Sequence, residues 1–262
     1  MKSAFSLVEL SIVLVILGLL TGGILTGQTL IRAAELRAVT TEFQRYQSAV
    51  NTFRDKYFAL PGDMRNATDF WGIAAGSAGN DSTCFAASNT GVTTCNGNGD
   101  GRVGDHTSEG HERFRAWQQL ANAGLIEGTY SGAGGGTTDL QGLIGVNVPR
   151  SKLNNAGWYI RTCCNHDTDY TAGNTRAFQG TYGNMFDYGA ERADNTTQNP
   201  VMAPGELWNI DTKLDDGMPG LGMLAANTHQ DCTLAADETD VSAAYDLSET
   251  AIVCSAFFRN AF

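Results

Sequence analysis

The sequence predicts an α+β protein. One long N-terminal helix, first apolar enough to cross a membrane and then amphipathic, packs on a small antiparallel β-sheet with long loops and a C-terminal disulfide region. Three observations predict this class. From Phe5 to Tyr57 the chain keeps a helical pattern. Beyond it, short strand-like runs alternate with turns, in a chain with 31 glycines and only 17% charged residues. Six cysteines lie in this second part.

The composition allows one globular domain in addition to the helix, because 42% of the 262 residues are hydrophobic. Acidic residues number 28 against 17 basic ones, for a net charge of -11. Phosphate binding needs clustered lysine and arginine, so we expect no direct nucleic-acid binding. No GxSxG, P-loop or GxGxxG motif occurs, and we expect no enzymatic activity.

The first element is an apolar segment, Phe5 to Gln28, with one carboxylate near its start, Glu9. As a helix these residues span about 36 Å, enough to cross a bilayer. Lys2 precedes the segment and Arg32 is the first positive charge after it, which favours a cytoplasmic N-terminus and an exported remainder. Because a carboxylate is costly in hydrocarbon, Glu9 is a candidate functional residue.

The stretch from Ala4 to Leu10, AFSLVEL, resembles the prepilin-type cleavage and methylation motif of type IV pilins and type II secretion pseudopilins. The resemblance implies a leader, residues 1–4, that is cut between Ala4 and Phe5, followed by N-methylation of Phe5. Glu9 then falls at the fifth position, where the family carries a glutamate. The family usually has glycine before the cut, where this chain has alanine.

The resemblance also gives Glu9 a partner. In a helical filament it would face the Phe5 amine of a neighbouring subunit, since a buried charge is tolerable when paired. The alternative is a plain membrane anchor in which Glu9 reaches the cytoplasmic interface.

The family implies a structural role and a bacterial location. The precursor would sit in the inner membrane, N-terminus in and C-terminus out, and then enter an extracellular pilus or a periplasmic pseudopilus. Its partners would be identical or related subunits, a prepilin peptidase and methylase, and an inner-membrane assembly platform. The readings left open are a major or minor pilin, a type II secretion pseudopilin, and a membrane-anchored periplasmic binding protein or enzyme.

The second half of the helix, residues 29–60, is amphipathic, and Pro61-Gly62 ends it. Its apolar side chains recur at spacings of 4, 3, 4, 3 and 4: Val39, Phe43, Tyr46, Val50, Phe53 and Tyr57. Such a stripe predicts packing on a sheet in the same chain, which suits the pilin αβ roll. Residues 61–262 would then form the exported globular domain.

Within this domain the apolar pattern predicts two helices and three strands. The first helix has Phe114, Trp117, Leu120, Ala121 and Leu125 on one face. The second runs from Pro204 to Leu214. The strands are Leu143–Val148, Trp158–Thr162 and Ile252–Phe258.

The cysteines indicate disulfides in an oxidising compartment, because their number is even and no CxxC occurs. The six residues are Cys84, Cys95, Cys163, Cys164, Cys232 and Cys254. Short loops favour the pairs Cys84–Cys95 and Cys232–Cys254. The adjacent Cys163 and Cys164 pair either with each other or with other cysteines, and their pairing is left open.

One glycine-rich loop has the oxygen spacing of an EF-hand, with Asn96, Asn98 and Asp100 at alternate positions. The closing glutamate is absent, and Asp105 or Glu109 would replace it. The alternative is an ordinary turn rich in Gly and Asn.

A second candidate cation loop has Asp215 and Asp216 ahead of a Gly/Pro turn. Here the alternative is a helix end with solvated acidic side chains. We expect that the protein requires no cofactor. If either loop binds an ion, Ca²⁺ is the ion that its oxygen ligands would suit.

Overall fold

A computed structural model describes most of the chain, with short gaps. The described residues are 7–79, 82–87, 91–104, 111–136, 140–163, 177–193, 195–227 and 229–262. The helices are α1 (Leu7–Tyr57), α2 (Ala67–Trp71), α3 (Glu112–Asn122), α4 (Pro204–Leu214) and α5 (His229–Cys232), with one 3-10 turn at Ser82–Phe85. The strands are β1 (Gly157–Cys163), β2 (Gly183–Gly189), β3 (Leu224–Asn227) and β4 (Ser255–Phe258).

The four strands form one antiparallel sheet in the order β1-β2-β4-β3. In the centre of this sheet Phe186 lies opposite Ile160 on one side and Phe258 on the other. The α+β class is therefore confirmed, with one long apolar N-terminal helix and a small antiparallel sheet.

Helix α1 crosses this sheet with the apolar stripe of its second half. All the predicted stripe residues from Val39 to Phe53 are buried, and Tyr57 is half-buried. The Phe43 ring stacks on Phe258 at 4.5 Å between centroids, and Tyr46 meets Trp117 edge-on at 5.0 Å. Aromatic contacts of this kind add to the area that each ring buries. The helical period thus predicted the packing face of α1 correctly.

The strand predictions succeeded in part. Trp158–Thr162 lies within β1, and the last strand is shorter than expected, covering only the end of Ile252–Phe258. The predicted strand Leu143–Val148 is wrong, because the chain turns there: Gly145 has φ +82° and its amide bonds to the carbonyl of Val148. That left-handed backbone is open to glycine and breaks an extended run.

Both preferred disulfides are present and hold loops of the globular domain. Cys84 pairs with Cys95 and Cys232 pairs with Cys254. The pairing of Cys163 and Cys164 lies outside the described residues.

Candidate assembly surface and cation-binding loops

The first half of α1 extends from the globular domain as an apolar rod. Its large hydrophobic side chains from Leu7 to Ile31 are exposed. The most apolar stretch has a mean hydropathy of 2.4, and none of it is buried within the chain. In the described part of the chain α1 is the one helix long and apolar enough to cross a membrane. This is compatible with membrane anchoring and with a signal sequence.

Glu9 lies in the first turn of this helix, among exposed apolar neighbours. A carboxylate is favourable there, since the N-terminal end of a helix carries partial positive charge. Ala4 and Phe5, which the predicted cleavage and pairing require, lie outside the described residues. The pairing of Glu9 with a Phe5 amine therefore stays a prediction.

A two-pronged ion pair fixes the point where α1 meets the globular domain. Arg32 donates from Nε and from Nη2 to the two carboxylate oxygens of Glu206, each at 2.7 Å. The same Nη2 donates to the Val201 carbonyl at 2.9 Å. Glu206 in turn accepts the amide of Ala203 at 3.0 Å and so caps the start of α4. The pair ties α4 to α1 over 174 positions of sequence.

Both partners of this ion pair have shifted pKa values. Burial would raise the pKa of Glu206, but hydrogen bonds from Arg32 and from the Ala203 amide outweigh it, so the pKa lies below its usual value. The pKa of Arg32 is raised, chiefly by its hydrogen bond to Glu206. Each partner thus stabilises the charged form of the other.

We expect Glu206→Gln to lower the free energy of unfolding by about 1–2 kcal/mol, because a partly buried, two-pronged ion pair is reduced to a single uncharged hydrogen bond, while the glutamine oxygen can still cap α4. A group with a lowered folded-state pKa stabilises the fold above its ordinary pKa, and this contribution is lost as the pH falls through the lowered value. The difference between wild type and variant should therefore shrink in strong acid. Chemical unfolding of the full chain in detergent, followed across pH, measures it.

The matched control is Glu35→Gln. Glu35 reaches the same arginine in a single contact of 3.7 Å, so its loss should cost less than about 0.5 kcal/mol. Equal effects of the two variants would contradict the assignment of the ion pair as the link between α1 and α4.

A buried carboxylate makes a second link between α1 and the globular domain, closer to the C-terminal end of the helix. Glu42 accepts the Ser151 hydroxyl at 2.6 Å and the Trp158 indole N–H at 2.8 Å on one oxygen. Its other oxygen accepts the Lys152 amide at 2.9 Å. The Tyr188 hydroxyl lies 2.9 Å from Ser151 Oγ and extends the network into β2. We call this set the Glu42 network.

The EF-hand-like loop is organised by a carboxylate from outside it. Asp63 accepts the amides of Gly99, Asp100 and Gly101. Burial raises the pKa of Asp63, with these amides opposing the shift. Consecutive backbone amides around one anion form a nest. Here the anion belongs to the chain itself.

The predicted ligand oxygens of this loop also accept backbone amides. Asn96 Oδ1 accepts the Thr68 amide at 2.8 Å. Asn98 Oδ1 accepts the Asp100 amide at 2.8 Å, and Asp100 Oδ1 accepts that of Arg102 at 2.9 Å. The bonds of Asn98 and Asp100 close local turns, which matches the alternative of an ordinary turn, whereas the bond of Asn96 ties the loop to α2. Asp105 and Glu109 lie outside the described residues, and a calcium site in this loop stays a prediction.

The second loop brings the predicted acids together with a third. Carboxylate oxygens of Asp211, Asp215 and Asp216 all lie within 4.8 Å of one another at the C-terminal end of α4. Asp211 is buried, whereas the other two are exposed. Burial raises the pKa of Asp211 to about 7, opposed by its hydrogen bond from Tyr245. We call these three residues the α4 acidic cluster.

Sequence reasoning missed Asp211, Glu42 and the Arg32–Glu206 pair. The spacing of Asp211 and Asp215, four residues apart at a helix end, was a signal that could have found the first. The other two join positions far apart in the chain and left no local pattern.

Comparisons with known proteins add no identity. No family model, no curated protein and no solved structure matches this chain.

Proposed function

We propose that this chain is the structural subunit, a pilin or minor pilin, of a type IV pilus-like filament that assembles after leader cleavage and N-methylation. One observation carries the proposal: the AFSLVEL motif leads directly into a helix whose first half is apolar, exposed and attached to a folded domain. A rod of this kind needs either lipid or other apolar helices around it. On this proposal, lipid surrounds the apolar half of α1 before assembly, and other copies of α1 surround it afterwards.

Assembly on this proposal is a packing process. Apolar helices leave the bilayer and bundle side by side, held by van der Waals contacts in a core without water. Heterologous contacts that do not close a ring generate a helical filament. The Glu9 carboxylate and the Phe5 amine of a neighbour would be the charged pair that sets the register along the axis.

The globular domain has to move with α1 in such a filament. The Arg32–Glu206 pair and the Glu42 network join α1 rigidly to the globular domain at two separate positions along the helix. Force applied to the helix bundle would thus reach the domain through polar links as well as through the aromatic core.

The direct test is the mass of the mature N-terminus. When the chain is expressed with a prepilin peptidase, we expect a product that starts at Phe5 and carries one methyl group on its amine. The matched control is Ala4→Glu, which places a charged side chain before the cut and should leave the precursor whole. A chain that keeps Met1 in the presence of an active peptidase would overturn the proposal and leave a plain anchor.

A further inference from the structure

A groove runs between α1 and α4 on the surface of the globular domain. Its volume of about 770 Å³ lies within the range of small-molecule sites. Ala33 and Leu36 of α1 line it together with Trp208 of α4 and with Leu247, which lies between Cys232 and Cys254. Trp208 is 39% exposed and Leu247 is 55% exposed. The groove therefore presents apolar surface to its surroundings. We call it the α1–α4 groove.

The α1–α4 groove begins where the apolar half of α1 ends. Ala33 follows Gln28 by five positions, which is about 7 Å along a helix. The Arg32–Glu206 ion pair holds α4 at the same level. The headgroup layer of a bilayer is about 5–8 Å thick on each side of the hydrocarbon. If the apolar half of α1 crosses a membrane, the groove therefore opens at the edge of the headgroup layer.

Two cations line the α1–α4 groove without forming an ion pair. They are Arg37 of α1 and Lys213 of α4, both exposed, and neither has a carboxylate partner among the described residues. Glu206 also lines the groove, but Arg32 already neutralises it. Among the described lining residues, one further carboxylate remains, that of Glu249. The groove thus combines apolar side chains with a small excess of positive charge.

A neighbouring groove on α1 extends this positive charge. It shares Arg37 with the first groove and is also lined by Arg45 of α1 and by Arg150 and Lys152, which precede β1 in the chain. All four side chains are exposed. Within the part of the chain that the structure describes, none of the four forms an ion pair. Basic residues from two distant parts of the sequence therefore meet beside α1.

The carboxylates of the neighbouring groove are mostly engaged elsewhere. Glu35 contacts Arg32 at 3.7 Å, and Glu42 accepts the hydrogen bonds of its network. Glu127 remains. The two grooves thus present five cations, Arg37, Arg45, Arg150, Lys152 and Lys213, against two carboxylates, Glu127 and Glu249. In a chain with a net charge of -11 this is a local positive surface, and it attracts anions.

From the apolar walls, the charge and the position, we propose that the α1–α4 groove binds an anionic phospholipid of the bilayer that α1 crosses. Arg37 and Lys213 contact the headgroup phosphate, and an acyl chain lies against Leu36, Trp208 and Leu247. Tryptophan is enriched at this boundary because its ring is apolar and its N–H is polar.

The bound lipid would hold the globular domain against the membrane surface. This inference rests on the membrane location in the proposed function and does not require a filament. A plain anchor would place the groove at the same level. The uncleaved chain can therefore be used to test it, and the result does not depend on the mass of the mature N-terminus.

Tryptophan quenching by a brominated lipid tests the groove, because bromine atoms quench an indole ring that they contact. The probe is phosphatidylglycerol with bromine on its acyl chains, titrated into the full-length chain in a neutral detergent. We expect quenching that saturates and that unlabelled phosphatidylglycerol reverses, whereas phosphatidylcholine with the same acyl chains does not. Trp208→Phe should remove most of this quenching. The matched control Trp71→Phe, beside the C-terminal end of α1, should keep it.

Charge variants test the headgroup contact. Arg37→Gln and Lys213→Gln, both at exposed positions, should each weaken binding about fivefold, which is the contribution of one basic residue close to an anionic membrane surface. Arg54→Gln removes an exposed cation near the other end of α1 and should bind like wild type.

Four results would overturn the inference. Equal quenching by brominated phosphatidylcholine would show lipid partitioning without recognition, and equal affinity in wild type and Lys213→Gln would remove the headgroup contact. Reversal of the quenching by glycerol 3-phosphate would indicate a site for a free phosphate. Absence of quenching would show that lipid does not enter the groove and would leave it to a second copy of the chain.

Discussion

Replacing Glu42 by alanine is expected to lower the free energy of unfolding by about 3–5 kcal/mol, the largest loss of stability that we predict for one side chain. The reason is the number of donors that it leaves behind. The Trp158 indole N–H and the Lys152 amide would lose their only acceptor among the described residues, and the Ser151 hydroxyl would lose its shortest one. Each stranded donor costs about 1–3 kcal/mol when it is buried.

A graded series separates hydrogen bonding from packing. Glu42→Gln keeps the size of the side chain and one acceptor oxygen, so its cost should fall between those of wild type and alanine. Asp55→Ala, at an exposed position on the same helix, is the control and should stay within about 0.5 kcal/mol. Denaturant unfolding of the full chain in detergent, read by tryptophan fluorescence, gives all three values. A glutamine variant as stable as wild type would show that the charge has no part in holding α1.

The contrast between Glu42 and the apolar stripe around it explains what the sequence could predict. Val39, Phe43 and Tyr46 repeat at helical spacing, so one local rule identified the buried face of α1. Glu42 sits within that face as a carboxylate, and its value depends on Trp158, 116 positions away. A pattern within one helix carries no information about a partner on a distant strand. The sequence therefore did not predict the Glu42 network.

The sheet shows the same contrast between features that a local pattern predicts and features that depend on distant residues. β1 was predicted from its apolar and aromatic run, but β2 begins and ends in glycine and carries Asp187 within it. That aspartate is buried because Arg161 on β1 donates to it at 2.9 Å. The register between the two strands places these residues near each other, and this lets β2 carry a charged residue in the core. Burial of a polar residue follows from its partner, and local propensity does not reveal it.

The two candidate cation-binding loops also differ in how well their sequence predicts their structure. Spacing alone favoured the loop at Asn96, yet its side-chain oxygens already accept backbone amides and its own amides surround Asp63. The weaker pattern at Asp215 and Asp216 gained a third, buried carboxylate through the fold. Ligand spacing describes which oxygens can converge, whereas burial and unsatisfied atoms describe which of them need an ion.

Glu9→Ala is expected to reduce the yield of sheared filaments at least about tenfold while leaving export and folding of the globular domain unchanged. On the proposed function, the substitution leaves the Phe5 amine of a neighbour without a counter-charge in an apolar bundle. Breaking a buried pair by removing one partner costs about 3–5 kcal/mol, far more than the loss of either charge at an exposed site. The defect should therefore appear in assembly and be absent from the isolated subunit.

Ser11→Ala is the matched control for this prediction. Ser11 lies on the same turns of α1, and its hydroxyl already donates to the Val8 carbonyl at 2.8 Å within the helix. Its loss should leave filament yield unchanged, because no described residue outside the helix bonds to this hydroxyl. Normal filament yield from Glu9→Ala would contradict the pairing, and a Glu9→Ala chain that is cleaved and methylated but unassembled would place the defect after processing. The Glu9 carboxylate and the Phe5 amine can pair only after the leader has been removed. On this proposal, cleavage after Ala4 is therefore required for assembly.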